Sequence, residues 1–184
     1  MKRRDAIKSL LIVTGGVIVI PSCLQRDAES TTIQLKHIAL DGSQEKQLAE
    51  LAETIIPATA TPGAKDTYAH RFALKMVDDC HDKADQERFM NGFKEFDRLS
   101  KDRFNTSFLK STPAQREQLV GEVEKRATAA AENDDLSAFY KMYKGLVIQG
   151  YMGSKYVMGS VLKFELVPGR YNGAAPVKQT YNKI

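Results

Sequence analysis

DQERFMNGFKEFDRLSKDRF, residues 85–104, sets the architecture. Phe89, Met90, Phe93, Phe96 and Leu99 recur at spacings of three and four, with Glu87, Arg88, Lys94 and Arg98 between them, which makes a two-sided helix with one aromatic face. A cofactor box is the sharper interpretation of such a stripe. Packing accounts for it first, because aromatic side chains at helical spacing bury more area than any others. Such a helix requires neighbours to cover its aromatic face, and the flanking sequence supplies them.

On the N-terminal side, Phe72, Ala73, Met76, Val77 and Cys80 predict one face of a helix over roughly 67–80. Asp78, Asp79 and Asp82 crowd its end, where acidic groups oppose the helix dipole, so this end is expected to fray or to meet a partner. Farther upstream, Leu48, Leu51, Ala52 and Ile55 predict a helix behind Asp41-Gly42-Ser43, with Ser43 as its cap. Pro57 stops that helix, and Ala58 to Ala64 form a turn-rich loop.

On the C-terminal side, Thr112-Pro113-Ala114-Gln115 is a capping box with proline in the first turn, and Leu119, Val123 and Ala127 mark the face of the helix it starts. After the polar break Glu132 to Asp135, a further helix carries Phe139, Met142, Tyr143, Leu146, Val147 and Tyr151, and is apolar enough to be central. The pattern weakens past Gly150 and Gly153 and ends in the Pro168 to Gly173 turn and a polar tail. The expected fold is all-α, an irregular bundle of about five helices over residues 43–184 with a loop-rich C-terminal segment, and no internal repeat.

The N-terminus has a different character. Met1 to Lys8 is basic, LLIVTGGVIVI at 10–20 is apolar but far short of the ~20 residues that span a bilayer, and Ile20-Pro21-Ser22-Cys23 ends it at a small residue. Residues 1–22 therefore resemble an export signal, of the twin-arginine type through Arg3 and Arg4, with Cys23 at a lipoprotein-type cleavage and acylation site. Residues 23–42, rich in Ser, Thr and charge, are expected to act as a tether, with Ile33 to Ile38 able to add a short extended piece. Removing Lys2, Arg3, Arg4 and Lys8 against Asp5 lowers the net charge of the 184-residue chain from +4 to +1, so nucleic-acid binding is disfavoured.

Chemical motifs are sparse. The three histidines, His37, His70 and His81, lack a second His or Cys at helical ligand spacing, so a zinc site is not expected. Cys80-His81 ends like a haem attachment sequence, but Val77 stands where the upstream cysteine is required. G-x-G-x-x-G, P-loop and G-x-S-x-G patterns do not occur. With Cys23 acylated, Cys80 is expected as a small apolar residue packed near a helix end. The acidic stretch Asp78 to Asp82 is expected to be a solvated helix end ahead of a metal or proton-transfer site. The loops 57–64 and 168–173 hold the most restrictive backbone chemistry, and either present a binding surface or only stop helices.

LAETIIPATATPGAK (51–65), FALKMVDDC (72–80), ERFMNGFKEFD (87–97), STPAQREQL (111–119), GYMGS (150–154) and VPGRYNG (167–173), in this order and behind a twin-arginine signal, resemble the small subunit (subunit 3) of membrane-associated gluconate 2-dehydrogenase and related flavoprotein sugar or polyol dehydrogenases. The resemblance covers most of the chain after the signal. It implies an all-helical accessory subunit with no catalytic residue, metal or cofactor of its own, bound to a large FAD-containing subunit of the glucose-methanol-choline (GMC) type, commonly beside a cytochrome c subunit. It further implies that the small subunit exports, anchors and stabilises its partner on the periplasmic side of the cell envelope. Arg3 and Arg4 would then be read by the translocase and Cys23 lipidated. Pro57, Pro62, Gly63, Ala64, Pro168, Gly169, Arg170 and Tyr171 would face the partner, with Arg170 either across the interface or in an internal ion pair. Two alternatives stay open from the residues: an export chaperone that leaves the mature complex, and a stand-alone envelope enzyme using Asp78 to Asp82 with His81.

Overall fold

Asp41 opens the first helix: its carboxylate accepts from the Gln44 amide at 2.8 Å while the Gln44 side chain accepts from the Asp41 amide at 2.9 Å. This reciprocal capping box starts α1 (Gly42–Ile55) at Gly42 and takes the capping role expected of Ser43. The computed structural model describes residues 31–129 and 134–162, together with Phe164, Val167 and Gly169. Arg3, Arg4, Cys23, Glu132, Asn133, Pro168, Arg170 and Tyr171 lie outside the described residues.

The following helices are α2 (Ala69–Cys80), α3 (Lys83–Phe104), α4 (Pro113–Ala129) and α5 (Asp135–Met152), with a 3-10 turn at Phe108–Lys110 and a π-helical turn at Val157–Val161. The expected all-α bundle is therefore the fold. α5 is its centre, packing against α2, α3 and α4, while α1 lies against α2 and α4. Phe89, Phe93 and Phe96 of α3 are buried against Phe139 and Tyr143 of α5, with the Phe89 and Phe139 rings edge to face at 5.0 Å. Phe139 and Tyr143 stack at 5.8 Å, and Phe108 from the 3-10 turn closes on Phe96 at 4.9 Å. The aromatic stripe is core. Tyr143 is fully buried and keeps its hydroxyl satisfied by donating to the Leu48 carbonyl of α1 at 2.6 Å.

α2 departs most from expectation. It starts at Ala69, because Thr67 turns its hydroxyl back onto the Gly63 carbonyl at 3.0 Å and Tyr68 adopts a left-handed conformation, φ 56°. Its buried face is Ala69, His70, Ala73, Leu74, Val77 and Asp78. Phe72 instead lies outward over Gly150, and Cys80 is exposed, its sulfur 3.9 Å from that of Met76. Nor does the C-terminus of α2 fray. The Gln86 amide group of α3 donates to the carbonyls of Val77, Asp78 and His81 at 3.0–3.1 Å, covering groups that a helix end leaves open. Asp82, grouped in sequence with the end of α2, caps the next helix by accepting from the Asp85 amide at 2.9 Å, which starts α3 at Lys83 rather than Asp85.

Asp78 is not solvated either. Its carboxylate is 1% exposed and accepts the backbone amides of Lys36, His37 and Ile38 at 2.7–3.0 Å. From Thr31 onward, the stretch expected as a tether is thus strapped to the bundle, with Ile38 buried and Ile33, Leu35 and Leu40 packed on the core. Burial pulls the Asp78 carboxyl upward, but the three amides and Lys75 outweigh it and hold its pKa below the usual carboxylate range. A depressed folded pKa means that this stabilisation is present above the ordinary carboxylate pKa and is lost as pH falls through and below it. Asp78→Asn is expected to cost about 2 kcal/mol, from weakened charge-assisted bonds. Hydrogen exchange should then accelerate at amides 36–38 far more than in α5, and unchanged protection there would contradict the clamp.

α4 follows the sequence more closely. Thr112 and Gln115 form the expected box, the Thr112 amide donating to the Gln115 side chain at 2.9 Å, and Leu119, Val123 and Ala127 are buried. Past Gly153 the chain is more helical than its weak pattern suggested: the Ser154 hydroxyl accepts from Val157 at 3.3 Å and the π-helical turn follows, with Val157 buried.

Candidate functional site

The Pro57–Ala64 loop is braced from three directions. At its base the Ala64 amide donates to the Ile56 carbonyl at 2.9 Å. Glu53, on the last turn of α1, spans the base. Its carboxylate accepts the Ala58 amide at 2.8 Å on one limb and the Lys65 amide at 3.0 Å on the other. Tyr151 of α5 donates its hydroxyl to the Pro62 carbonyl at 3.1 Å, tying the loop to the central helix. At the tip, the Thr59 amide donates to the Thr61 carbonyl at 2.9 Å.

These contacts divide the expected partner-facing residues. Pro57 through Ala60 are exposed and Pro62 is half-buried, whereas Gly63 and Ala64 are buried and act as the seat of the loop. A Cβ at Gly63 would collide with the Glu53 carboxylate and stand 2.7 Å from the Ala58 nitrogen, so the brace requires glycine there. Gly169 is exposed. The presented surface is therefore a short, stiff Pro-Ala-Thr-Ala tip on a helical body, and rigid presentation reduces the ordering cost of binding a partner.

Beside the loop, Lys65 and Arg116 both pair with Glu50 of α1. Arg116 also donates to the Phe108 and Leu109 carbonyls at 3.2 and 2.8 Å, so one guanidinium stitches α4, the 3-10 turn and α1 together. Burial raises the Glu50 carboxyl, and the two cations more than reverse that, leaving it below its ordinary pKa.

The acidic stretch is dispersed rather than assembled. Asp78 faces the strap, Asp79 pairs with Lys75 at 3.1 Å, Asp82 caps α3, and His81 Nδ1 stands 3.3 Å from Asp85. An open groove of about 740 Å³ runs alongside, lined by residues including His37, Asp79, His81, Lys83, Glu87 and Lys94. Among the described residues no group of three His, Cys, Asp or Glu side chains could hold a metal ion, and no helix is long and apolar enough to cross a membrane. The sequence pattern places Tyr151 on the apolar face of the last helix and leaves Glu53 unmarked, and it identifies neither as a brace of the loop. Both act through tertiary contacts, and only the position of Glu53 four residues before Pro57 hints at its role.

Fold and loop together define an all-helical domain that displays a braced proline loop. The family model described as gluconate 2-dehydrogenase subunit 3 matches residues 42–169, from the first residue of α1 to just past the π-helical turn, and the chain belongs to that family. No curated protein and no solved structure matches the chain. The family is one of subunits of an oxidoreductase complex, and the matched span contains the Pro57–Ala64 loop in full.

Proposed function

We propose that this chain is a non-catalytic subunit that exports, anchors and stabilises an FAD-containing dehydrogenase of the GMC type, acting on a sugar or sugar acid at the periplasmic face of the cell envelope. The observation that carries this reading is the family match over residues 42–169, whose description names a subunit of a dehydrogenase rather than a complete enzyme. The N-terminal pattern supports it: Arg3 and Arg4 supply the translocase signal and Cys23 the acyl attachment, and several acyl chains give lasting membrane attachment where one gives only marginal binding. A flavin site exists only in a folded partner, so a loaded large subunit without a signal needs an escort that travels a route for folded proteins. A cytochrome c subunit is a further proposed member of the assembly.

In this reading the Pro57–Ala60 tip contacts the flavoprotein, and Glu53 and Tyr151 hold it in a binding-ready shape. Glu53→Ala frees both limbs of the loop while leaving the helix faces intact. It is expected to weaken retention of the flavoprotein on the tagged chain by about tenfold, equivalent to ~1.4 kcal/mol, with helical circular dichroism unchanged. Undiminished co-purification with a demonstrably loosened loop would remove the tip from the interface.

A further inference from the structure

The strap meets the bundle beside its exposed aromatic side chains. It runs along α2 from the first turn to the last. The Thr32 amide donates to Glu45 at 2.6 Å, and the same carboxylate stands 3.8 Å from Arg71 Nε. Lys75 Nζ then donates to the Gln34 carbonyl at 3.2 Å, and the amides of residues 36–38 end on Asp78. The Thr31 end of the strap is therefore at the N-terminal end of α2, where Thr32 and Tyr68 line one cavity. We propose that this face, led by Tyr68 and Phe72, is the surface that the protein lays on a lipid bilayer. The proposal rests on the acylation of Cys23 in the function proposed above.

The length of chain between the anchor and the strap carries the inference. Cys23 and Thr31 are eight Cα steps apart, which reach at most about 29 Å when fully extended. A compact bundle of about 130 residues is roughly 36 Å across, so a path over its surface from one side to the other takes roughly 57 Å. Acyl chains on Cys23 cannot reach a membrane lying against the far side. Only the half of the bundle around Thr31 can touch the bilayer that holds them. The clamp by Glu45 and Asp78 is what makes the limit short: with residues 31–40 loose, the reach to Asp41 would be about 65 Å, enough to let any face turn to the membrane.

The side chains of that half suit a lipid surface. Tyr68 is 57% and Phe72 37% exposed, one turn apart. The Arg71 guanidinium lies over the Tyr68 ring at 4.4 Å. Aromatic rings beside long cationic stems settle at the level of lipid headgroups. The cations are already matched, Arg71 by Glu45 and Lys75 by Asp78 and Asp79, so the rings make the contact and attraction to anionic lipid does not. Glu45 is in the first turn of α1 and the Pro57 loop follows its last, about 16 Å farther along the helix axis, so an anchored chain keeps the loop tip open to the flavoprotein.

The chain contains no tryptophan, so one introduced indole reports depth by itself. The test uses full chain purified from the envelope, with Cys23 acylation checked by mass spectrometry, in phosphatidylcholine vesicles whose acyl chains carry bromine as a quencher. Tyr68→Trp is compared with Lys125→Trp, exposed on α4, across α1 and α5 from α2. Bromolipid quenching is expected to be about threefold or more stronger at position 68. Phe72→Trp is the second reporter, with the same expectation, should Tyr68→Trp fail to fold. Acylated, vesicle-bound protein quenched equally at positions 68 and 125, or more at 125, would overturn the proposal alone. An unacylated Cys23 would overturn the anchoring function and the proposal with it.

Discussion

Gly92→Ala is expected to destabilise the protein by about 2 kcal/mol, although alanine is the better helix former by about 1 kcal/mol. Gly92 is in the middle of α3 where the first turns of α5 come closest. A Cβ at this position would overlap the Asp135 carbonyl oxygen and lie 2.5 Å from the Phe139 Cβ. Neither obstacle is the free end of a flexible side chain, so the two helices must separate. Their separation loosens the contacts of Phe139 with Phe89, Phe93 and Phe96 at the centre of the core. Gly121→Ala and Gly145→Ala are the controls, because an added Cβ meets nothing within 4 Å at either site. Both should stabilise by up to ~1 kcal/mol. Urea denaturation of the three variants reads the difference directly, and a neutral or stabilising Gly92→Ala would contradict the close approach of α3 and α5.

The same glycine shows where sequence patterns stop being informative. The helices of the bundle were legible because burial imposes a period: Phe89, Phe93 and Phe96 mark one face of α3 whatever lies opposite, and Thr112-Pro113-Ala114-Gln115 states where α4 starts. Gly92 has no side chain to place in that period. Its constraint comes from Asp135 and Phe139, more than forty residues away in the chain.

α2 illustrates a second limit. Periodicity alone placed Phe72 and Cys80 on the core face, yet the buried stripe is rotated toward His70, Leu74 and Asp78, because Asp78 has partners outside its own helix. A carboxylate read in isolation at a helix end is expected to be solvated; three backbone amides from residues 36–38 reverse that expectation, and their arrival is not written in the local pattern. The choice between Ser43 and Asp41 as the cap of α1 was open to local reasoning, since Asp41 with Gln44 is itself a capping box. The loop 57–64 was recognisable as restrictive from its two prolines and its glycine. Its division into an exposed tip and a buried seat depends on Glu53 and Tyr151, and so on the fold.

Replacing both Arg3 and Arg4 by Lys is expected to have the largest effect on function. Lysine keeps the positive charge of the N-terminus but lacks the planar five-donor guanidinium, so a role in general attraction would survive the change and recognition of a twin-arginine signal would not. If this chain escorts its flavoprotein, loss of the signal affects two polypeptides at once: the small subunit stays inside, and the large subunit stays with it. The cleanest single measurement is FAD-linked sugar or sugar-acid dehydrogenase activity in envelope and cytoplasmic fractions of cells expressing either the wild-type chain or the doubly substituted one. The proposed function predicts that envelope activity falls by about tenfold or more, with the lost activity appearing in the cytoplasm. Full dehydrogenase activity at the envelope, with the small subunit itself retained inside, would contradict it.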